Sequence, residues 1–279
     1  MRLFNYLIPL VSSQLCAVSA QSIQVTATEF TSGHFGVVAT SDTDCVLILR
    51  RYDNDSLPKT TTTRVGMALG QAGVSQEFGE YLVSGQARGF FEVFGTDLAS
   101  FEDDTDSDGI KDRTELQAAG FLEPMDPSDA ITADVFDIVP DVSLSDGVPG
   151  PGAGNIEAAH HLDIYRFDGT AGDGLFFDLA GFETPLTLFT YALVDPYGNV
   201  VKSSSFGIGD MGPVTLPHTG EYLLVVGDTD DSDTGTYSIN ITIIPAPQSF
   251  DIAIGDTIAP DTPAPGAGTI EPPGAFDIY

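Results

Sequence analysis

Residues 104–115, DTDSDGIKDRTE, set five carboxylate side chains in one short stretch: Asp104, Asp106, Asp108, Asp112 and Glu115. Counted from Asp104 they occupy positions 1, 3, 5, 9 and 12, with Gly109 at 6, which is the ligand spacing of a calcium loop. Alternating carboxylates converge on one cation only if the backbone curls back on itself, and glycine permits that turn. On this spacing Asp104, Asp106 and Asp108 supply carboxylate oxygens and Ile110 its backbone carbonyl. Asp112 acts directly or through water, and Glu115 closes the site as a bidentate ligand. A merely solvated acidic linker gives no reason for a glycine and a glutamate at those two places. Without metal the acids of this stretch repel one another, so the spacing predicts a loop that is loose when empty and stiff when loaded.

The elements around the loop are unequal. After it, TELQAAG offers helix formers for under two turns, with Gly120 available as a left-handed cap, so one short helix is expected. Before it, DLASFE is no convincing entering helix, which disfavours a paired EF-hand. DTDSDGIKDRTEL followed by GFLEPMDPSDA resembles the bacterial thrombospondin type 3 style calcium repeat found between modules of exported proteins. That resemblance spans residues 104–130 and implies a structural Ca2+ rather than a sensor site.

On both sides the pattern is β. Residues 21–102 carry SIQVTATEF, FGVVAT, CVLILRRY, VGMAL, EYLV and GFFEVFG between turn-rich pieces, predicting a sandwich of about six strands. Arg50, Arg51 and Arg64 are spaced among Asp and Thr residues as in a solvated loop. Residues 131–153, rich in Pro and Gly, are expected to be an extended linker. Residues 154–246 contain LDIYRF, GLFFDL, LTLFTYALV, NVVKS, PVTL, EYLLVV and TYSINITII, which predict a second sandwich.

A shift of 114 positions aligns residues 136–165 with 250–279 without a gap, matching 13 of 30 residues including PGAG and the pair of DIY triplets. Tandem modules explain this. NIE, DIYRF, LFFDL, LVDPYGNVV, VTLPHTGEYLLVV and GTYSINI resemble, in order and spacing, the bacterial pre-peptidase C-terminal (PPC) domain. The resemblance implies a jelly-roll-like accessory module attached to a larger secreted protein. Residues 247–279 are then a linker and the truncated start of a second such repeat, broken off in its first strand. The expected fold class is all-β: two β-sandwich modules, jelly-roll or Ig-like, joined by a calcium loop with one short helix, plus the start of a third.

Residues 1–20 have Arg2, an apolar stretch and small residues before Gln21, as a secretory signal peptide does. No later run reaches the roughly 18 apolar residues needed for a membrane span. With 10 Lys plus Arg against 41 Asp plus Glu, the formal charge of −31 excludes nucleic acid and anionic lipid as partners and favours cations. Beyond the signal only Cys45 remains, inside CVLIL, and it is read as a small buried hydrophobe.

Catalysis finds no H-E-x-x-H, no G-x-S-x-G and no phosphate-cradling glycine loop. His34, His160, His161 and His218 fall at turns or strand edges. His160 and His161 beside Asp163 are the crowded set, yet the second copy has Gly274 and Ala275 in their place, so exposed strand-edge residues are expected. GDTDDSDTG, residues 227–235, is read as a solvated hairpin loop, and Asp126 and Asp129 as turn residues around Pro127. The expectation is a secreted or surface-attached, calcium-binding, non-enzymatic spacer or adhesion protein whose modules meet an extracellular protein or polysaccharide. The alternative is the accessory region of a secreted hydrolase whose catalytic domain lies elsewhere.

Overall fold

The computed structural model describes residues 22–31, 34–52, 62–81, 90–118, 122–128, 133–159, 161–183, 186, 188–227, 233–270 and 273–279. The signal peptide, Gly120 as a cap, Asp129, His160 and residues 228–232 of the acidic hairpin lie outside them. The chain falls into two units, the first comprising residues 1–107, 111–116 and 123–125, the second 108–110, 117–122 and 126–279.

In the first unit the described strands are β1 (Ile23–Thr31), β2 (His34–Ser41), β3 (Cys45–Tyr52), β4 (Thr62–Gly70), β5 (Ser75–Tyr81) and β6 (Phe90–Asp97). They form two three-stranded antiparallel sheets, ordered β1-β2-β5 and β4-β3-β6. Period-two alternation turns Val37 and Ala39 of β2, Cys45, Leu47 and Leu49 of β3, Val65 of β4 and Phe78 of β5 into one core. Val46 and Ile48, on the other face of β3, are also buried, and a strand covered on both faces needs the unbroken apolar run CVLIL. Cys45 is wholly buried, and that burial pushes its thiol pKa up. A Cβ on Gly66 of β4 would stand 2.9 Å from the carbonyl oxygen of Gly79 on β5, so backbones of the two sheets meet at glycines.

Two expectations change here. The strand read at EYLV starts earlier: β5 begins at Ser75, where alternation is faint, and Leu82 and Val83 lie outside the described residues. Arg50, Arg51 and Arg64 are not in a loop but on paired strands, Arg50 opposite Arg64. Long arginine stems tolerate such places, and the Arg50 guanidinium lies 3.8 Å from the Phe94 ring centroid.

The second unit contains β7 (Ala133–Asp137), β8 (Val142–Leu144), β9 (Asn155–Ile156), β10 (Leu162–Gly169), β11 (Gly174–Phe182), β12 (Thr190–Val194), β13 (Val200–Ser205), β14 (Gly212–Thr215), β15 (Gly220–Gly227) and β16 (Gly235–Ile244), then β17 (Gln248–Ser249) and β18 (Asp277–Ile278). One sheet runs β13-β12-β15-β10-β7, the other β14-β11-β16-β8 with β9 also on β16. Tyr165, Phe167, Tyr191, Tyr222 and Leu224 from the first sheet and Phe177, Tyr237, Ile239 and Ile241 from the second fill the core between them. The outer face of the first sheet is buried too: Leu162, Ile164, Leu223 and Val225 cluster with Ile110, Ala118 and Leu122. That double cover explains why LDIY and EYLLVV are continuous rather than alternating. Burying an Ile or Leu side chain in this way stabilises by about 1.5–3 kcal/mol.

Residues 131–153 are therefore not only a linker. β7 runs parallel to β10, with Asp134 opposite Asp163, and β8 pairs antiparallel with β16. Both lie at sheet edges, where acids and nearby proline are tolerated, which is why composition alone disguises them. The fold is all-β, with a single short α-helix among the described residues. No described helix is long and apolar enough to cross a membrane.

Candidate metal centre

The helix after the loop, α1 (Asp112–Gln117), places Asp112 and Glu115 in its first turn, where the helix dipole favours acids. Ahead of it the carboxylates of Asp104, Asp106 and Asp108 offer oxygens within 4.8 Å of one another. Local bonds shape this convergence: the Ser107 amide donates to Asp104 Oδ1 and the Ile110 amide to Asp108 Oδ1, both at 2.7 Å. Gly109 has φ of +102° with nothing within 4 Å of a Cβ built on it, so the left-handed backbone, not crowding, calls for glycine.

Asp112 is wholly buried and braces the loop. Its Oδ1 accepts from the Thr105 amide at 2.6 Å, and its Oδ2 accepts from the Thr105 hydroxyl at 2.7 Å and from Arg64 at 3.4 Å. Arg64 also pairs with Asp103. Position 9 is thus tied to position 2 and to strand β4, a role that spacing does not reveal. Glu115 at position 12 is wholly buried. The Ile110 side chain is buried in the outer cluster of the second unit, and Gln117 Nε2 donates to the carbonyls of Asp195 at 3.1 Å and Glu221 at 2.8 Å. Converging carboxylates beside a left-handed glycine fit a hard cation that takes only oxygen. Asp104, Asp106 and Asp108 are the carboxylates brought together, and a cation held there would neutralise their mutual repulsion.

No protein-family model matches the chain, and no curated protein matches it. Solved structures similar to part of it include the following two. One is PliG of Aeromonas hydrophila, a periplasmic inhibitor of g-type lysozyme, at 13% identity over 40% of this chain and 98% of that one, with a TM-score of 0.31. The other is the pre-peptidase C-terminal domain of a Bacillus anthracis collagenase, at 16% identity over 39% of this chain and 96% of that one, also with a TM-score of 0.31.

Asp126 is a turn residue, its Oδ1 accepting from the Ser128 amide at 3.0 Å and hydroxyl at 2.6 Å, and those bonds lower its pKa. Asp163 departs from expectation. It is wholly buried, because period-two alternation puts it on the same face of β10 as the core residues Tyr165 and Phe167. Its Oδ2 accepts from the Gly154 amide at 3.1 Å, the Tyr165 hydroxyl at 3.2 Å and the Tyr237 hydroxyl. Burial raises its pKa to about 7 against the lowering effect of the two tyrosines, with Glu157 and Asp134 adding repulsion. Sequence reasoning missed Arg64, Thr105 and Asp134. Arg64 is brought in by strand pairing and Thr105 by the curl of the loop onto Asp112; Asp134 could have been found by asking which strand the DIY triplet pairs with.

Proposed function

We propose that this chain is a calcium-stabilised, non-catalytic modular protein of the exported kind, in which PPC-like β modules follow a thrombospondin type 3 style calcium loop. The observation that carries the reading is the convergence of Asp104, Asp106 and Asp108 around a loop turned by Gly109, with Glu115 buried at position 12. Calcium holds the segment through which the chain passes from its first unit to its second. The modules act as spacers or as adhesion surfaces toward an extracellular protein or polysaccharide. Extracellular calcium modules bind at roughly 10⁻⁴ to 10⁻³ M, a range saturated where the ion is abundant.

Calorimetric titration of chelator-treated protein tests this. The native chain is expected to take up one Ca2+ at the loop with a measurable heat, Asp106→Ala to lose it, and protease cleavage within residues 103–111 to slow when calcium is added. A native chain without calcium heat, or an Asp106→Ala variant that titrates identically, sinks the reading.

A further inference from the structure

A second group of ligand-type side chains lies in the second unit, independent of the loop. Asp134 on β7, His161 just ahead of β10 and Asp163 on β10 each offer a ligand atom, all within 4.8 Å of one another. Asp134 and Asp163 are register partners across the parallel pair, so the backbone itself sets the two carboxylates side by side. The set is not merely acidic, and it leaves two buried atoms unsatisfied. With Asp163 Oδ2 taken by three donors, its Oδ1 is buried and has no hydrogen-bond partner among the described residues, and neither does the buried His161 Nδ1. Buried polar atoms without partners are rare and call for a missing group. Glu157 stands next to the set, its Oε2 3.7 Å from His161 Nδ1.

The loop above is shaped for these acids. Gly152 has φ of +92°, and a Cβ there would lie 2.6 Å from Asp134 Oδ2 and 3.4 Å from Glu157 Oε1, so glycine leaves room for both carboxylates. The internal repeat supplies a comparison within one chain. The second copy keeps the scaffold: the Gly268 amide donates to Asp277 Oδ2 at 3.1 Å, as Gly154 does to Asp163, and Gln248 pairs with Asp277 across β17 and β18. It lacks the ligands, having Gln248 for Asp134 and Ala275 for His161. An imidazole nitrogen and an aspartate are therefore added to a scaffold that forms without them.

We infer that Asp134, His161 and Asp163 form a binding site for a divalent transition metal ion, of which Zn2+ is the probe, with Glu157 at hand as a fourth ligand. One imidazole nitrogen among carboxylates suits zinc and its neighbours, whereas calcium takes oxygen alone. The site belongs to the first copy of the repeat and is absent from the second.

The test uses the full chain, stripped with chelator and kept in excess calcium so that the loop is saturated, and titrates Zn2+ by calorimetry. One Zn2+ per chain is expected. Asp134→Gln with His161→Ala, which install the second copy's residues, should weaken it by about a hundredfold or more. Because the second copy forms the same backbone network with those residues, the variant should fold; should it not, His161→Ala alone is compared. Co2+ in place of Zn2+ gives an independent reading, since its visible bands report bound nitrogen and oxygen ligands. No Zn2+ uptake by the native chain, or uptake unchanged in a folded variant, overturns the assignment.

Discussion

The two copies of the repeat share a local design and differ in what surrounds it. In the first, the Gly154 amide bonds Asp163 at 3.1 Å and the Tyr165 hydroxyl at 2.9 Å; in the second, Gly268 bonds Asp277 at 3.1 Å and Tyr279 at 2.6 Å. Phe136 stacks on Tyr165 with centroids 5.4 Å apart, and Phe250 on Tyr279 at 5.5 Å. Yet Tyr165 is wholly buried beneath Tyr237, whereas Tyr279 is 40% exposed. The PGAG turn, the parallel strand pair and the tyrosine lock are thus a self-contained motif, made by short-range bonds. The core adds burial to it, and burial changes its electrostatics.

The comparison breaks most visibly at the tyrosine. Tyr165→Ala should cost about 3–5 kcal/mol, as large-to-small core changes do, while Tyr279→Ala should stay within about 0.5 kcal/mol. Thermal unfolding of the two variants measures the gap; equal effects would mean that the copies are equally embedded.

A pH series sharpens the difference next. The pKa of Asp163 is raised in the folded state to about 7 from 3.8, mainly by burial, so the unfolded chain releases this proton first. In chelator, stability from this group is full below pH of about 4, falls as pH rises, and levels off above about 7, by up to about 4 kcal/mol. Asp163→Asn should flatten that slope in urea unfolding. A slope of the opposite sign would refute the raised pKa.

The smallest expected effect is at the turns. A Cβ at Gly154, with φ of +68°, would sit 2.2 Å from the Ser145 carbonyl carbon, and at Gly268, with φ of +69°, 2.7 Å from Ala259. Gly154→Ala should destabilise the second unit by more than about 1 kcal/mol, and Gly268→Ala should leave its melting transition in place.

Strands in this chain are legible where one local signal decides. CVLIL, LDIYRF, EYLLVV and TYSINITII all emerge from apolar patterning, and of the doubly covered strands β3 and β15 announce themselves by the runs VLIL and YLLVV. β7 and β8 are hidden because edge strands carry the acids, proline and glycine that otherwise mark linkers. The convergence of Asp104, Asp106 and Asp108 is legible because their spacing is contiguous in sequence. Arg64, Asp134 and the buried state of Asp163 are not, since each depends on pairing between strands whose register no short stretch specifies.

The buried thiol of Cys45 gives the molecule a built-in means of telling its units apart. No cysteine follows it in the sequence, so the whole second unit is free of thiols. In the protein without residues 1–20, a thiol reagent can modify the chain only when the CVLIL strand leaves its core. The rate of that reaction therefore times the opening of the first sandwich alone, whatever metals the rest of the chain holds.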